Sequence, residues 1–441
     1  MKKLKILVIM TALLPFILSG CYDAAEIDDE VYALIIGADK GVNNAVRVTV
    51  QYPTYKEGGG GGSGMEKNSQ EGGNGGKEEI VREVDGTIVV TVEAPTILEG
   101  VNIINASVPR RISLMHAKMI IFSEDYAREG IMNYLGPIAR FRETRRVMQV
   151  VVCKGRAEDF IKENKSLIGA SSSKSIELMR IQSRTNGYFP LVTFHDFYKA
   201  VLSPYQQACT TYAGTNDFKS LSQYSQSDKP FLRTEYDLEA GELPIRGTAK
   251  REFGGTAIFD KGKMVGSLNL FETRYFMLVT GDFQRAIMTI EDKLKPNTAI
   301  PLDIRLGRKP KIRVYFKDGI ANIDINLNLE ADLGAIQSRI NYEKLDMIDD
   351  LNRQIEDYIK SGIEKVIKKT QLLKTDIFGF GYYIAGNFLT IEEFEKYNWH
   401  EHYPEAKVSV KVRANVRRTG LMFGSFPLER VIKSDKSGGE K

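Results

Sequence analysis

Histidine, tryptophan and cysteine are the scarce residues of this 441-residue chain, with four, one and three copies. That scarcity removes whole classes of chemistry. His400 and His402 stand two apart in WHEHYP and on an extended segment could share a metal, but only His116 and His195 remain elsewhere. A structural zinc site takes four such ligands, so the pair reads as an exposed polar loop and no metal site is assigned. The chain has no GxSxG elbow, no P-loop and no HExxH helix, and GFGYYIAG from Gly379 carries Ile384 where a dinucleotide fingerprint has its third glycine. No catalytic residue, cofactor or ligand-binding residue is therefore assigned, and the protein is read as non-enzymatic. A strong charge of one sign is missing too. Lys and Arg number 61 against 57 Asp and Glu, and three of the lysines lie within the first five residues, so the remainder of the chain is nearly neutral. A nucleic-acid partner is not expected from such a balance. Nor is there a disulfide framework: Cys153 ends the apolar stretch VMQVVVC and reads as a small buried hydrophobe, and whether it pairs with Cys209 stays open.

What the chain does carry begins at its N-terminus. Lys2, Lys3 and Lys5 precede an apolar run from Ile6 to Ile17 interrupted by Pro15, the charged and hydrophobic regions of a secretory signal. Such a run spans about 18 Å as a helix, short of the roughly 30 Å hydrocarbon core, so a membrane span is the weaker reading. No A-x-A site follows. Leu18-Ser19-Gly20-Cys21 instead resembles a bacterial lipobox, in which the cysteine thiol is lipidated and the chain is cut just before it. Residues 1–20 are then the signal peptide, and Cys21 is the lipid anchor, a diacylglyceryl cysteine that opens the mature chain. Two acyl chains suffice for stable anchoring.

Beyond the anchor, VYALIIG from Val31 and the alternating VRVTVQY from Val46 flank ADKGVNNA, which predicts an antiparallel hairpin. Residues 57–77 are glycine-rich and predict a flexible loop. Order resumes with the strand TIVVTVEA, a helix through ILEGVNIINA and the strand MIIFS, whose Ser123 is placed to cap a following helix. A cycle of strand, helix and strand runs on to RRVMQVVVCKG, and Ala170 to Val201 read as helical, with Ser175 as a cap. The polar run SLSQYSQSDKP marks a boundary. Residues 21–220 are thus a first region, 221–253 a linker or surface loop, 254–425 a C-terminal α+β domain and 426–441 a disordered tail.

In that C-terminal region two strands flank an Asp-Lys-Gly turn in GTAIFDKGKMVGSLNL, and KIRVYF and NIDINLNLEA alternate. Between Asn341 and Lys374, Leu345, Ile348, Leu351, Ile355, Ile359, Ile363 and Val366 make one apolar helical stripe, with acids toward its start and lysines toward its end. A second helix covers Ile391 to Trp399, and KVSVKVRANVRR reads as a half-buried antiparallel strand. The fold class is α+β, with mixed, largely antiparallel sheets, packed helices and two to three domains. Arg110, Arg111, Arg140, Arg142, Arg145 and Arg146 form a locally basic region, read as a solvated face partly neutralised by Glu143.

Several segments, taken in order, resemble the Ger(x)C lipoproteins, the C subunits of the nutrient-germinant receptors of endospore-forming bacteria. CYDAAEI with VYALIIGADKG is similar to that family's opening, with Tyr22 where tryptophan is frequent. LMHAKMIIFSEDYAREG matches through His116, Ala127 and Gly130, and GTAIFDKGKMVGSLNLFET through Gly255, Ala257, Phe259, Lys263, Val265, Gly266, Leu268, Glu272 and Thr273. DIFGFGYYI and VKVRANVRRTGL resemble its C-terminal signatures. The resemblance implies a lipid-anchored, non-enzymatic subunit needed for nutrient-triggered germination, held on the outer face of the spore inner membrane with an integral-membrane A subunit and a permease-like B subunit. It implies no catalytic residues, and it makes His116 and the glycines structural positions. The competing reading is an extracytoplasmic solute-binding lipoprotein of a transporter, which would be built from doubly wound lobes.

Overall fold

A computed structural model of the chain describes residues 29–54, 86–164, 172–219 and 232–419. Cys21 and its lipobox, the glycine-rich stretch 57–77, the run SLSQYSQSDKP beyond Lys219 and the tail 426–441 lie outside the described residues. The apolar run at Val31 divides in two. β1 (Glu30–Tyr32) leaves the main sheet, and β2 (Ile35–Lys40) forms the expected antiparallel hairpin with β3 (Val46–Pro53), Ile35 opposite Gln51. β4 (Thr87–Ala94) extends that hairpin on its far side. Helix α1 (Ile97–Ile104) follows, capped by the Thr96 side chain, which accepts from the Glu99 N–H. β5 (Arg111–Ser113) then pairs in parallel with β1.

The chain next alternates strands with helices. β6 (Met119–Ser123), α2 (Glu124–Glu129), α3 (Met132–Arg140), β7 (Gln149–Cys153), α4 (Ala157–Lys162), α5 (Ser172–Asn186), α6 (Phe194–Val201) and β8 (Cys209–Thr215) follow in turn. β2, β6, β7 and β8 are mutually parallel and form the middle of an eight-stranded sheet. The near-continuous apolar runs of β6 and β7 have this cause: both faces are covered, as in parallel sheets generally. Ile120, Phe122 and Val150 pack with α1, α2, α3 and α6 on one face, while Met119, Ile121 and Val151 pack with α4 and α5 on the other. Two local expectations are corrected. Ser123 holds the N-cap position of α2 without a capping bond, because its hydroxyl turns to Asp39. The helical stretch from Ala170 is two helices, parted at Gly187 with φ of 68°, and α5 already starts at Ser172, so Ser175 lies inside it and does not cap it.

β9 (Arg251–Asp260) and β10 (Lys263–Leu268) form the hairpin around Asp260-Lys261-Gly262, with Lys261 and Gly262 at φ of 47° and 78°, the left-handed pair that a tight hairpin turn requires. They join the first sheet, β9 antiparallel to β8, so that sheet draws strands from both sides of residue 253. Residues 232–250 are tied down, with Tyr275 donating to Glu235 and Lys154 pairing with Glu239 and Glu242.

Helix α7 (Leu270–Thr280) opens with a capping box between Asn269 and Glu272. A second, four-stranded sheet is ordered β11 (Arg285–Glu291), β12 (Ala299–Lys317), β13 (Ile320–Leu333) and β14 (Lys407–Arg418). Between its last two strands run α8 (Leu345–Leu372), α9 (Phe380–Ala385), α10 (Ile391–Tyr397) and α11 (Trp399–His402). Leu351, Ile355, Ile359, Ile363 and Val366 of α8 are fully buried in the same core as Ile323, Ile325 and Leu327 of β13. β14 pairs with β13 in parallel, not in the antiparallel sense its alternation suggested. Alternation reports one buried face and carries no strand direction, and the long helical crossover returns the chain to the same end of the sheet. Gly362 lets α8 meet α7, since a Cβ there would lie 2.2 Å from the ring of Tyr275.

Candidate functional site at the junction of the two sheets

Where α8 ends, Lys374 at φ of 56° turns the chain into the loop that carries Asp376. This carboxylate is fully buried and accepts four N–H groups: Phe378 at 3.1 Å, Gly379 at 3.0 Å, Gly381 at 2.9 Å and the Trp399 indole at 2.8 Å. Burial pushes its pKa up to about 6, against the downward pull of those donors. Gln207, on the loop between α6 and β8, clasps the same turn. Its backbone N–H donates to the Asp376 carbonyl at 2.9 Å, its side-chain oxygen accepts from the Asp376 N–H at 2.6 Å, and its side-chain amide donates to the Lys374 carbonyl at 3.1 Å. Beside it Tyr205 stacks between Tyr382 and Phe394, with ring centroids 4.9 and 5.0 Å away. GFGYYIAG is therefore a joint rather than a nucleotide loop: a Cβ on Gly381 would sit 2.1 Å from the Tyr205 carbonyl oxygen.

A cavity of about 360 Å³ opens over this joint, lined among others by Leu202, Gln206, Asp260, Lys261, Trp399 and His400. The His400 Nε2 is buried without a hydrogen-bond partner, and burial lowers its pKa, which keeps the ring neutral at pH 7. His402 faces elsewhere, stacked on Tyr397 at 4.2 Å with its Nδ1 3.2 Å from the Asn398 carbonyl. Both histidines lie on helix α11 and not on an extended segment, and positions two apart on a helix point roughly 200° apart, so they do not converge. Among the described residues no group of three or more His, Cys, Asp or Glu is placed to hold a metal ion. The neutral imidazole, carboxylate, ammonium and amide around this cavity can hydrogen-bond a small polar molecule. They supply no activated nucleophile. The Cys153 thiol is buried and pushed well up, and burial pushes the Cys209 thiol up to about 12. Both cysteines are free, and the register sets Cys153 opposite Ala213, four residues along β8 from Cys209.

The other sequence-derived positions scatter. His116 packs edge-on to Tyr32 at 4.6 Å, Gly130 ends α2 at φ of 126°, and Arg111 pairs with Glu143 and lies 3.8 Å from Glu30. A second buried carboxylate escaped sequence reading. Asp39 of β2 accepts the N–H groups of Ala157 at 2.7 Å and Glu158 at 3.0 Å, capping α4 from a neighbouring strand, and burial raises its pKa. An acid ending the apolar run VYALIIGAD was its only signal. Asp376 escaped it too: its only signal was DIFGFG, an acid before closely spaced glycines, and its partners Gln207 and Trp399 are visible only in three dimensions.

Two family profiles match the chain. Residues 23–214 match the spore germination protein N-terminal domain, and residues 254–420 match the spore germination B3/GerAC-like C-terminal domain. Relatives in Bacillus subtilis (strain 168) align over almost their whole length. Putative spore germination protein YfkR is 22% identical over 436 residues, covering 96% of this chain and 99% of that protein. Spore germination protein KC is 21% identical over 456 residues, covering 98% and 99%. The crystal structure of the GerBC protein aligns with 86% of this chain and 96% of its own, at 15% identity and a TM-score of 0.47. This chain belongs to the Ger(x)C family.

Proposed function

We propose that this protein is the C subunit of a spore germinant receptor, tethered by a lipid on Cys21 to the outer face of the spore inner membrane and held with an integral-membrane A subunit and a permease-like B subunit. The observation that carries the reading is full-length alignment: both halves match spore germination domains in the right order, and spore germination protein KC aligns from end to end. The anchor rests on Leu18-Ser19-Gly20-Cys21 behind a charged and apolar leader. No helix among the described residues is long and apolar enough to cross a membrane, which is consistent with attachment through a lipid. The role is non-enzymatic: the Asp376 carboxylate and the Gln207 amide at the junction are spent on holding two parts of the chain together, and burial pushes both thiols up, away from the reactive thiolate. The solute-binding alternative calls for two doubly wound lobes. Here the adjacent parallel strands β2, β6, β7 and β8 lie in a single sheet, which antiparallel strands complete on both sides, β9 and β10 coming from beyond residue 250.

Complementation tests the anchored role. In spores lacking the chromosomal copy, the wild-type chain restores nutrient-triggered germination and fractionates with membranes. After a high-salt wash Cys21→Ala leaves the chain in the soluble fraction, and it fails to restore the response. Full restoration by a soluble Cys21→Ala chain would remove the anchor from the account.

A further inference from the structure

Among the described residues, helices cover one face of the second sheet and leave the other bare. Directly paired residues on neighbouring strands point to the same side, and the register sets Arg308, Asn328 and Arg413 in one row across β12, β13 and β14, with Lys311, Asn326 and Lys411 in the next. Arg313 lies opposite Asp324, and Lys407 opposite Asn322, on the same side. Strand spacing puts the two cations of each row roughly 10 Å apart with an amide between them. All six cations are exposed. The ion pairs on this face lie farther along it, Arg285 with Asp303, Arg305 with Asp332 and Arg417 with Glu330, and leave these six without an ion pair among the described residues. At the first row the surface recedes into a cavity of about 350 Å³, bordered by Gly307 at the β12 bulge and by Glu330.

Lysines on an exposed edge strand commonly guard against unwanted pairing. That bears on β14, the sheet edge, and on β12 beyond Arg305, where its pairing with β11 ends; it does not set the cations of the two strands in facing rows on the open side of the sheet with an amide between them. We propose that this bare basic face docks on an anionic bilayer, with headgroup phosphates seated between the paired cations. The choice of a bilayer over an acidic protein rests on the anchored reading above, because a tether to the membrane keeps this face at high effective concentration beside it. Near an anionic leaflet each Lys or Arg adds appreciably to the attraction, and the effect fades within a Debye length.

The test uses the mature chain from residue 21 carrying Cys21→Ala, so that no acyl chain contributes. It is mixed with phosphatidylglycerol vesicles and, separately, with phosphatidylcholine vesicles, and bound protein is measured by flotation. The expected result is salt-sensitive binding to the first and none to the second. The combined Lys311→Glu, Arg313→Glu, Lys411→Glu and Arg413→Glu chain loses affinity on the order of a hundredfold or more, while Arg142→Glu with Arg145→Glu, on the other basic region, keeps it. Circular dichroism confirms that each variant is folded. Absence of phosphatidylglycerol binding, equal loss in both variants, or binding to polyglutamate with none to vesicles would each overturn the proposal. Spores that germinate normally without the chain would count against the receptor role and leave the vesicle result intact.

Discussion

In the eight-stranded sheet Ile120 and Ile121 are neighbours in sequence and both fully buried, on opposite faces. In the four-stranded sheet Ile325 is fully buried while Asp324 and Asn326 on either side of it point outward. The first sheet spends both faces on helices and has little surface left to offer. The second spends one face on α8 and keeps the other for contact. Stability and interaction are thus separated within one chain: side chains toward α8 hold the fold, and those on the reverse can change charge at little cost to it.

That contrast can be broken most severely on the buried side. Ile359→Ala removes part of a fully buried side chain at the middle of the α8 stripe, and a loss of about 2–5 kcal/mol is expected in urea unfolding. Next comes the joint. Asp376→Asn turns an amide toward N–H groups that now donate to a carboxylate, with an expected cost of about 1–3 kcal/mol at pH 7. Its pH dependence has a definite sign. Burial raises the folded pKa to about 6 from the ordinary 3.8, so the folded state holds the proton more tightly. The contribution of Asp376 is therefore greatest below about pH 4 and falls by roughly 3 kcal/mol as pH rises to 6. The gap between wild type and Asp376→Asn should widen as pH drops from 6 to 4, and a constant gap would refute the assignment.

Smaller effects sharpen the comparison. Asp39→Ala strips the cap that β2 lends to α4, with an expected cost of about 1–2 kcal/mol and faster amide exchange at Ala157 and Glu158. Lys411→Glu, on the bare face, should shift stability by no more than about 0.5 kcal/mol by the same unfolding assay. A loss comparable with that of Ile359→Ala would mean that the face is packed after all.

Much of this was legible in the sequence because burial leaves a period. The α8 stripe and the alternation of β13 each announce one covered face, and continuous runs such as MIIFS announce two. Direction and partnership leave no such trace. VKVRANV alternates equally well whether β14 runs with or against β13, and β9 and β10 gave no sign that they would finish a sheet begun more than 200 residues earlier. The joint was half legible: its glycines stood out, but Gln207 is an ordinary polar residue until Asp376, 169 positions away, is brought against it.

The central claim, a subunit of a germinant receptor, is tested most directly by following dipicolinate release from spores that lack this chain and any redundant receptor. They are challenged with nutrients and, in parallel, with a trigger that bypasses nutrient receptors. The account predicts failure with nutrients alone and a normal response to the bypass. A normal response across a broad panel of amino acids and sugars would contradict it.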